Sequence, residues 1–240
     1  MFLAPGALMG LSIKNLIITR KTSMTATVKK LQDTISSYIQ HHNDNTTLQK
    51  ENLEKKYEFT GETIEVGFNT LHRIRALRDF GDVKKGDLGG YISSEYNLSH
   101  DGNCWVGGKA KVYSNARVYD NAVVSGYAHV NNVACIYENA RVYGKAVVAG
   151  NIYGNAEVYG FARIYPDAHI FENARVHYYA CVFNDTQIYG NAKISGYACI
   201  FANVKIFRNA VIKGDTWVRN NIEVCSKEIV YNDQSLKEAA

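Results

Sequence analysis

Apolar residues return at every sixth position through more than half of the chain: Val106, Val112, Val118, Val124, Val130, Ile136, Val142 and Val148, then Ile152, Val158, Ile164, Ile170, Val176, Val182, Ile188, Ile194, Ile200, Ile206, Ile212, Val218 and Val224. Two positions before nearly every one stands a small residue, as at Ala110, Ala116, Ala122, Ala128, Ala156, Ala174 and Ala210. Alternate residues of a strand face the same side, so the Ala and the Val or Ile both point inward. The hexad therefore predicts a mainly β protein, a parallel solenoid of short strands. Aromatic residues recur in 18-residue steps, Tyr119 to Tyr137 and Phe171 to Tyr189 to Phe207, so three hexads make one triangular coil, and there are about seven coils. Between Val148 and Ile152 the step is four, which shortens one coil and tightens its corner at Ala149, Gly150 and Asn151. With that allowance Tyr153 joins the aromatic column, and Tyr/Phe-x-Asn-Ala appears once per coil. Its asparagines, Asn121, Asn139, Asn155, Asn173, Asn191 and Asn209, are expected to pass amide hydrogen bonds from coil to coil. Corner pairs such as Asp120-Asn121, Gly154-Asn155, Pro166-Asp167 and Gly214-Asp215 carry the residues that tolerate left-handed backbone angles.

Upstream the period changes. Val28, Leu31, Ile35, Tyr38 and Ile39 recur at helical spacing and predict an amphipathic helix over residues 25–41, with a short charged segment at residues 51–56 as a second one. Residues 1–56 read as an N-terminal arm, and residues 1–23 resemble nothing downstream. Short β-type runs around a turn at Gly67, Phe68 and Asn69 predict a β-hairpin cap. That cap and a Gly-rich lead-in fill residues 57–101, where the glycines are expected to supply positive φ. The solenoid then fills 102–225, and a polar tail, 226–240, closes its far end. Caps are needed because a bare first coil exposes a strand edge and an open core.

From about Tyr57 onward the chain resembles hexapeptide-repeat proteins of the prophage, YdcK-like type found in bacteria. The resemblance rests on residues 77–86 (Leu-Arg-Asp-Phe-Gly-Asp-Val-Lys-Lys-Gly), on Gly89-Gly90, on Asn97-Leu98-Ser99 and on Gly102-Asn103-Cys104-Trp105-Val106. It implies a single-stranded left-handed parallel β-helix. Handedness comes from the resemblance alone, since parallel crossovers are otherwise right-handed. Proteins of this type are commonly labelled acyltransferase or polymer-forming cytoskeletal protein, labels that follow the repeat rather than a reaction.

Composition narrows the function. A net charge of +4 is spread among acids rather than gathered into runs, which argues against nucleic acid as a partner. Five cysteines without CxxC spacing argue against a disulfide framework or a zinc site and suit a reducing cytoplasm. The apolar patches before residue 18 are broken by Pro5, Gly6, Gly10 and Lys14 and predict neither a signal peptide nor a membrane span. Hexapeptide-repeat acyltransferases resemble the coils and use a histidine base with acyl-CoA between subunits of a trimer, and γ-class carbonic anhydrases hold zinc with three histidines. The histidines available here, His129, His169 and His177, point outward from separate parts of the coil without an orienting carboxylate nearby in sequence. They are weak catalytic candidates, and no metal or cofactor is expected. Cys181 and Cys199 lie one coil apart in one outward column.

Aromatic residues supply the stronger signal. Tyr119, Tyr137, Tyr153, Phe171, Tyr189 and Phe207 form one outward column, and Tyr165, Phe183 and Phe201 a second. Phe161, Tyr179 and Tyr197 occupy a third. Aromatic enrichment with depleted charge marks an interface. The leading expectation is a non-enzymatic, rigid protein-binding scaffold that associates with itself as a dimer or trimer and binds another protein. The alternatives are an acyl-CoA-dependent acyltransferase and a filament former.

Overall fold

The structure, a computed structural model, describes residues 55–225, the pair Ile229 and Val230 and, upstream, Lys29 and Ser36. The chain divides into two compact units, Met1–Glu54 and Lys55–Ala240. In the first, Lys29 and Ser36 have helical backbone and are exposed, consistent with the polar side of the predicted helix. Its apolar side, the 51–54 part of the second helix and most of the 226–240 tail lie outside the described residues.

The second unit is a β-solenoid of stacked coils. Each coil contributes one two-residue strand to each of three sheets, which have ten, eight and seven strands. The first face begins at Trp105–Val106, the cap face at Lys111–Val112 and the far face at Arg117–Val118. Pairing is parallel and in register, as in Arg163↔Cys181 with Ile164↔Val182. Every hexad repeats one local solution. Its outward residue is followed by a buried Val or Ile, and a turn then ends on a buried small residue, most often an Ala whose N–H donates back three residues, as from Ala122 to the Tyr119 carbonyl at 3.2 Å; Thr186, Val204 and Thr216 stand there in later coils. Two or three further N–H groups per hexad donate to carbonyls of the next coil, as from Lys109, Lys111 and Tyr113 to Gly126, Ala128 and Val130. The coils are thereby tied together by backbone hydrogen bonds, and their interior holds Ala, Val and Ile with the small polar Thr186 and Thr216. The second residue of most turns takes positive φ, whether Gly154, Asp120 or Glu138. At Pro166, whose ring forbids that angle, the positive φ moves on to Asp167.

The cap precedes the coils. Strand β1 (Tyr57–Val66) pairs antiparallel with β2 (Asn69–Ala76), and β2 with β3 (Leu88–Ile92), which joins the cap face in parallel with Lys111 and Val112. Gly81 and Gly86 have the expected positive φ, but Gly89 and Gly90 do not. They are small for a different reason: a Cβ on Gly90 would stand 2.4 Å from the Ala110 carbonyl oxygen, and one on Gly89 2.5 Å from Ile74. Two buried polar side chains close the open end of the first coil. Lys56 Nζ donates to the carbonyls of Asp101 and Cys104 at 3.2 and 2.9 Å. Asn97 Nδ2 donates to those of Ser114 and Ala116 at 3.0 and 2.8 Å. Burial lowers the Lys56 pKa.

Candidate functional site

The turn leading from the far face to the first face carries the Tyr/Phe-x-Asn-Ala motif. Tyr119, Tyr137, Tyr153, Phe171, Tyr189 and Phe207 stack in one unbroken ladder with centroids 4.8–5.1 Å apart. Beside it an amide ladder runs Asn103 to Asn121, Asn139, Asn155 and Asn173, and resumes from Asn191 to Asn209, each Nδ2 donating to the next Oδ1 at 3.2–3.3 Å. Carboxylates cap turn N–H groups that lack a backbone acceptor: Asp120 accepts from Glu138, Glu138 from Gly154 and Glu172 from Gly190. All six rings are half-buried, so this column spends its apolar area on its own stack.

Exposure is greatest elsewhere. Three outward columns share the cap face. The central one runs Lys111, His129, Val147, Arg163, Cys181, Cys199 and Trp217. On one side stand Phe161, Tyr179 and Tyr197, stacked at 4.8 and 4.9 Å; on the other stand Tyr165, Phe183 and Phe201. Phe161, Tyr179, Tyr197 and Trp217 remain 44–60% exposed, whereas Tyr165, Phe183 and Phe201 are half-buried. The second and third aromatic columns thus flank one face rather than marking two. Hexad spacing shows which rings stack; that they border one trough follows from the turn geometry.

Two shallow depressions of about 300 and 340 Å³ adjoin on this face and share Val147 and Arg163. The first is lined also by Lys145, Phe161, Tyr179, Cys181 and Tyr197, the second by Asn131, Ala149, Tyr165 and Pro166. The second lies where the coil is two residues short. The lost residues remove a backbone acceptor, and Asn151 Oδ1 replaces it by accepting from the Cys135 N–H at 3.0 Å. Among the described residues neither Lys145 nor Arg163 forms an ion pair with a carboxylate; Lys145 lies over the Phe161 ring at 5.3 Å. The trough is therefore apolar at its rims and positive within.

The histidines lie apart. His129 is on the cap face edge-on to Tyr113, His169 on the far face edge-on to Tyr153, and His177 at the turn before the cap face, stacked on Tyr159 at 4.8 Å. Burial lowers the pKa of His129 and His177, helped by Lys111 at the first and by Arg175, Lys193 and Lys213 at the second. None of the three has a carboxylate partner among the described residues, nor does any group of three or more His, Cys, Asp and Glu stand together as a metal cage. Tyr143, Tyr159 and His177 form a further stack that hexad counting missed, although their shared position after Val142, Val158 and Val176 was the available signal. Burial raises the Cys181 and Cys199 thiol pKa values; Arg163 works against this at Cys181. No helix among the described residues is long and apolar enough to cross a membrane.

Residues 110–132 match the YdcK β-solenoid repeat. No curated protein matches the chain.

Proposed function

We propose that this YdcK-like β-solenoid repeat protein is a non-enzymatic, rigid scaffold that assembles with copies of itself through its cap face. The observation that carries the reading is the exposure of Phe161, Tyr179 and Tyr197 on a face held by backbone hydrogen bonds in every coil. Interface cores are enriched in aromatic residues and Arg, and a preformed surface loses little entropy on docking. Charge selects the orientation. Two cap faces meeting would bring Lys145 and Arg163 of one copy against the same cations of the other. The turn between the far and first faces carries the exposed Asp120, Glu138 and Glu172, with Arg208 at the column's last coil, so the acidic stretch of that corner in one copy complements the trough of the next. Such a contact is head-to-tail, and it makes a ring where the rotation closes and a filament where it does not.

An acyltransferase asks for a histidine base within hydrogen-bond reach of an orienting group. His129, His169 and His177 have aromatic neighbours in that place. Light scattering on the purified protein tests the proposal. The wild type is expected at a multiple of the 26.8 kDa chain mass, and the double variant Lys145→Glu, Arg163→Glu at 26.8 kDa with an unchanged circular dichroism spectrum. A monomeric wild type, or turnover of acetyl-CoA, would overturn it.

A further inference from the structure

The centre of the trough holds chemistry that a docking surface does not use. Cys181 and Cys199 are register partners in adjacent coils, both outward and half-buried; each Sγ donates a weak 3.6 Å bond to the carbonyl of Tyr179 or Tyr197, and the two thiols lie within hydrogen-bond reach of each other. Their place in the column is bounded on both sides. Arg163 pairs with Cys181 from the coil below, and Trp217 with Cys199 from the coil above. Phe183 and Phe201 follow at the next outward position on one side, with Tyr179 and Tyr197 on the other. Both thiols are free.

We infer that Cys181 and Cys199 form a two-coordinate thiolate site for a soft monovalent cation, copper(I) or its silver(I) analogue. Three features of the site lead there. Parallel strands stack about 4.8 Å apart, so side chains in register sit one above the other at that spacing. Two metal–thiolate bonds of about 2.3 Å placed in line span about 4.6 Å, which fits without moving the coils. A disulfide instead favours Cβ atoms about 3.8 Å apart, closer than the register spacing of about 4.8 Å. Among the described residues no third His, Cys, Asp or Glu joins the pair, so zinc and iron lack the ligands they need there, whereas thiolates alone suit copper(I).

Charge follows the same logic. Binding takes one cation and two thiols to a bis-thiolate complex of charge −1 and releases two protons. Arg163 is the next outward residue of the column and its charge acts on Cys181, so it offsets that anion, while the aromatic flanks and the indole border it. Because two protons leave, affinity rises by about a hundredfold per pH unit while both thiols are protonated, and burial of the thiols extends that range upward.

The site does not depend on self-association, and copper stoichiometry and mass can be read on the same samples, so either can fail alone. The test is anaerobic titration with copper(I) against a chromophoric chelator, with X-ray absorption on the loaded protein. One copper per chain, two sulfur ligands in line and the stated rise with pH are expected. Cys181→Ser and Cys199→Ser should each weaken binding by more than the roughly 10–100-fold that loss of an outer partner costs, and Arg163→Gln should fall within that range. Cys135→Ser and Cys225→Ser should leave it unchanged. Absence of binding, or binding that survives Cys181→Ser and Cys199→Ser, would overturn the inference.

Discussion

Gly150 and Asn151 show how single residues hold a repeat together where it is interrupted. Removing two residues from a coil deletes a carbonyl from the hydrogen-bond ladder, and the Asn151 side chain supplies an amide oxygen in its place. The chain must also pass close to the coil above. A Cβ at Gly150 would stand 2.6 Å from the Ala168 carbonyl oxygen and 2.8 Å from that of Tyr165, and since Gly150 has no positive φ the obstacle is contact alone. Gly150→Ala should therefore cost about 1–3 kcal/mol, the usual range for overpacking, read as a lower urea midpoint at constant slope. An unchanged midpoint would mean that the corner yields freely. The four-residue step was visible in the sequence. The substitution of a side chain for a backbone acceptor was not, because an asparagine after a glycine looks like any other turn.

The columns are the next scale. The hexad and its 18-residue recurrence determine which residues stack, so the ladder from Tyr119 to Phe207 and the amide ladder beside it could be read directly. What spacing concealed was how columns share a face. An outward residue two before a strand and another directly after it belong to different turns in sequence, yet they flank the same sheet. Phe161, Tyr179 and Tyr197 thus join Phe183 and Phe201 around Cys181 and Cys199. The stacked tyrosines also make stability sensitive to alkali. Burial, seconded by the neighbouring Tyr153 and Tyr119, pushes the Tyr137 hydroxyl up to about 12, and Tyr119, Tyr143, Tyr153 and Tyr159 are raised as well, chiefly by burial. Their protons are held more tightly in the fold than in the unfolded chain, where tyrosine titrates near 10. Between those values the folded state binds more protons, so stability falls as pH rises. Melting temperature should drop from pH 10 to 12, and Tyr137→Phe should soften that drop. A melting temperature independent of pH across the window would contradict the stacked, half-buried ladder.

At the scale of the whole second unit, the solenoid is a rigid body with unlike sides. One end is closed by the hairpin cap, Lys56 and Asn97. One corner presents Asp120, Glu138 and Glu172, and one face presents exposed rings around Lys145 and Arg163. The repeat made the architecture legible from sequence because every coil states it again, while the function rests on where the coils differ from one another. Cysteines report on those sides individually: Cys181 and Cys199 lie on the cap face, Cys135 on the far face, and all three are half-buried. The most direct test of cap-face assembly is alkylation of these thiols, followed residue by residue by mass spectrometry, as protein concentration is raised. Assembly through the cap face predicts that Cys181 and Cys199 become slower to label as concentration rises in the wild type but not in the Lys145→Glu, Arg163→Glu variant. Labelling of Cys181 and Cys199 at a rate independent of concentration in the wild type would contradict it.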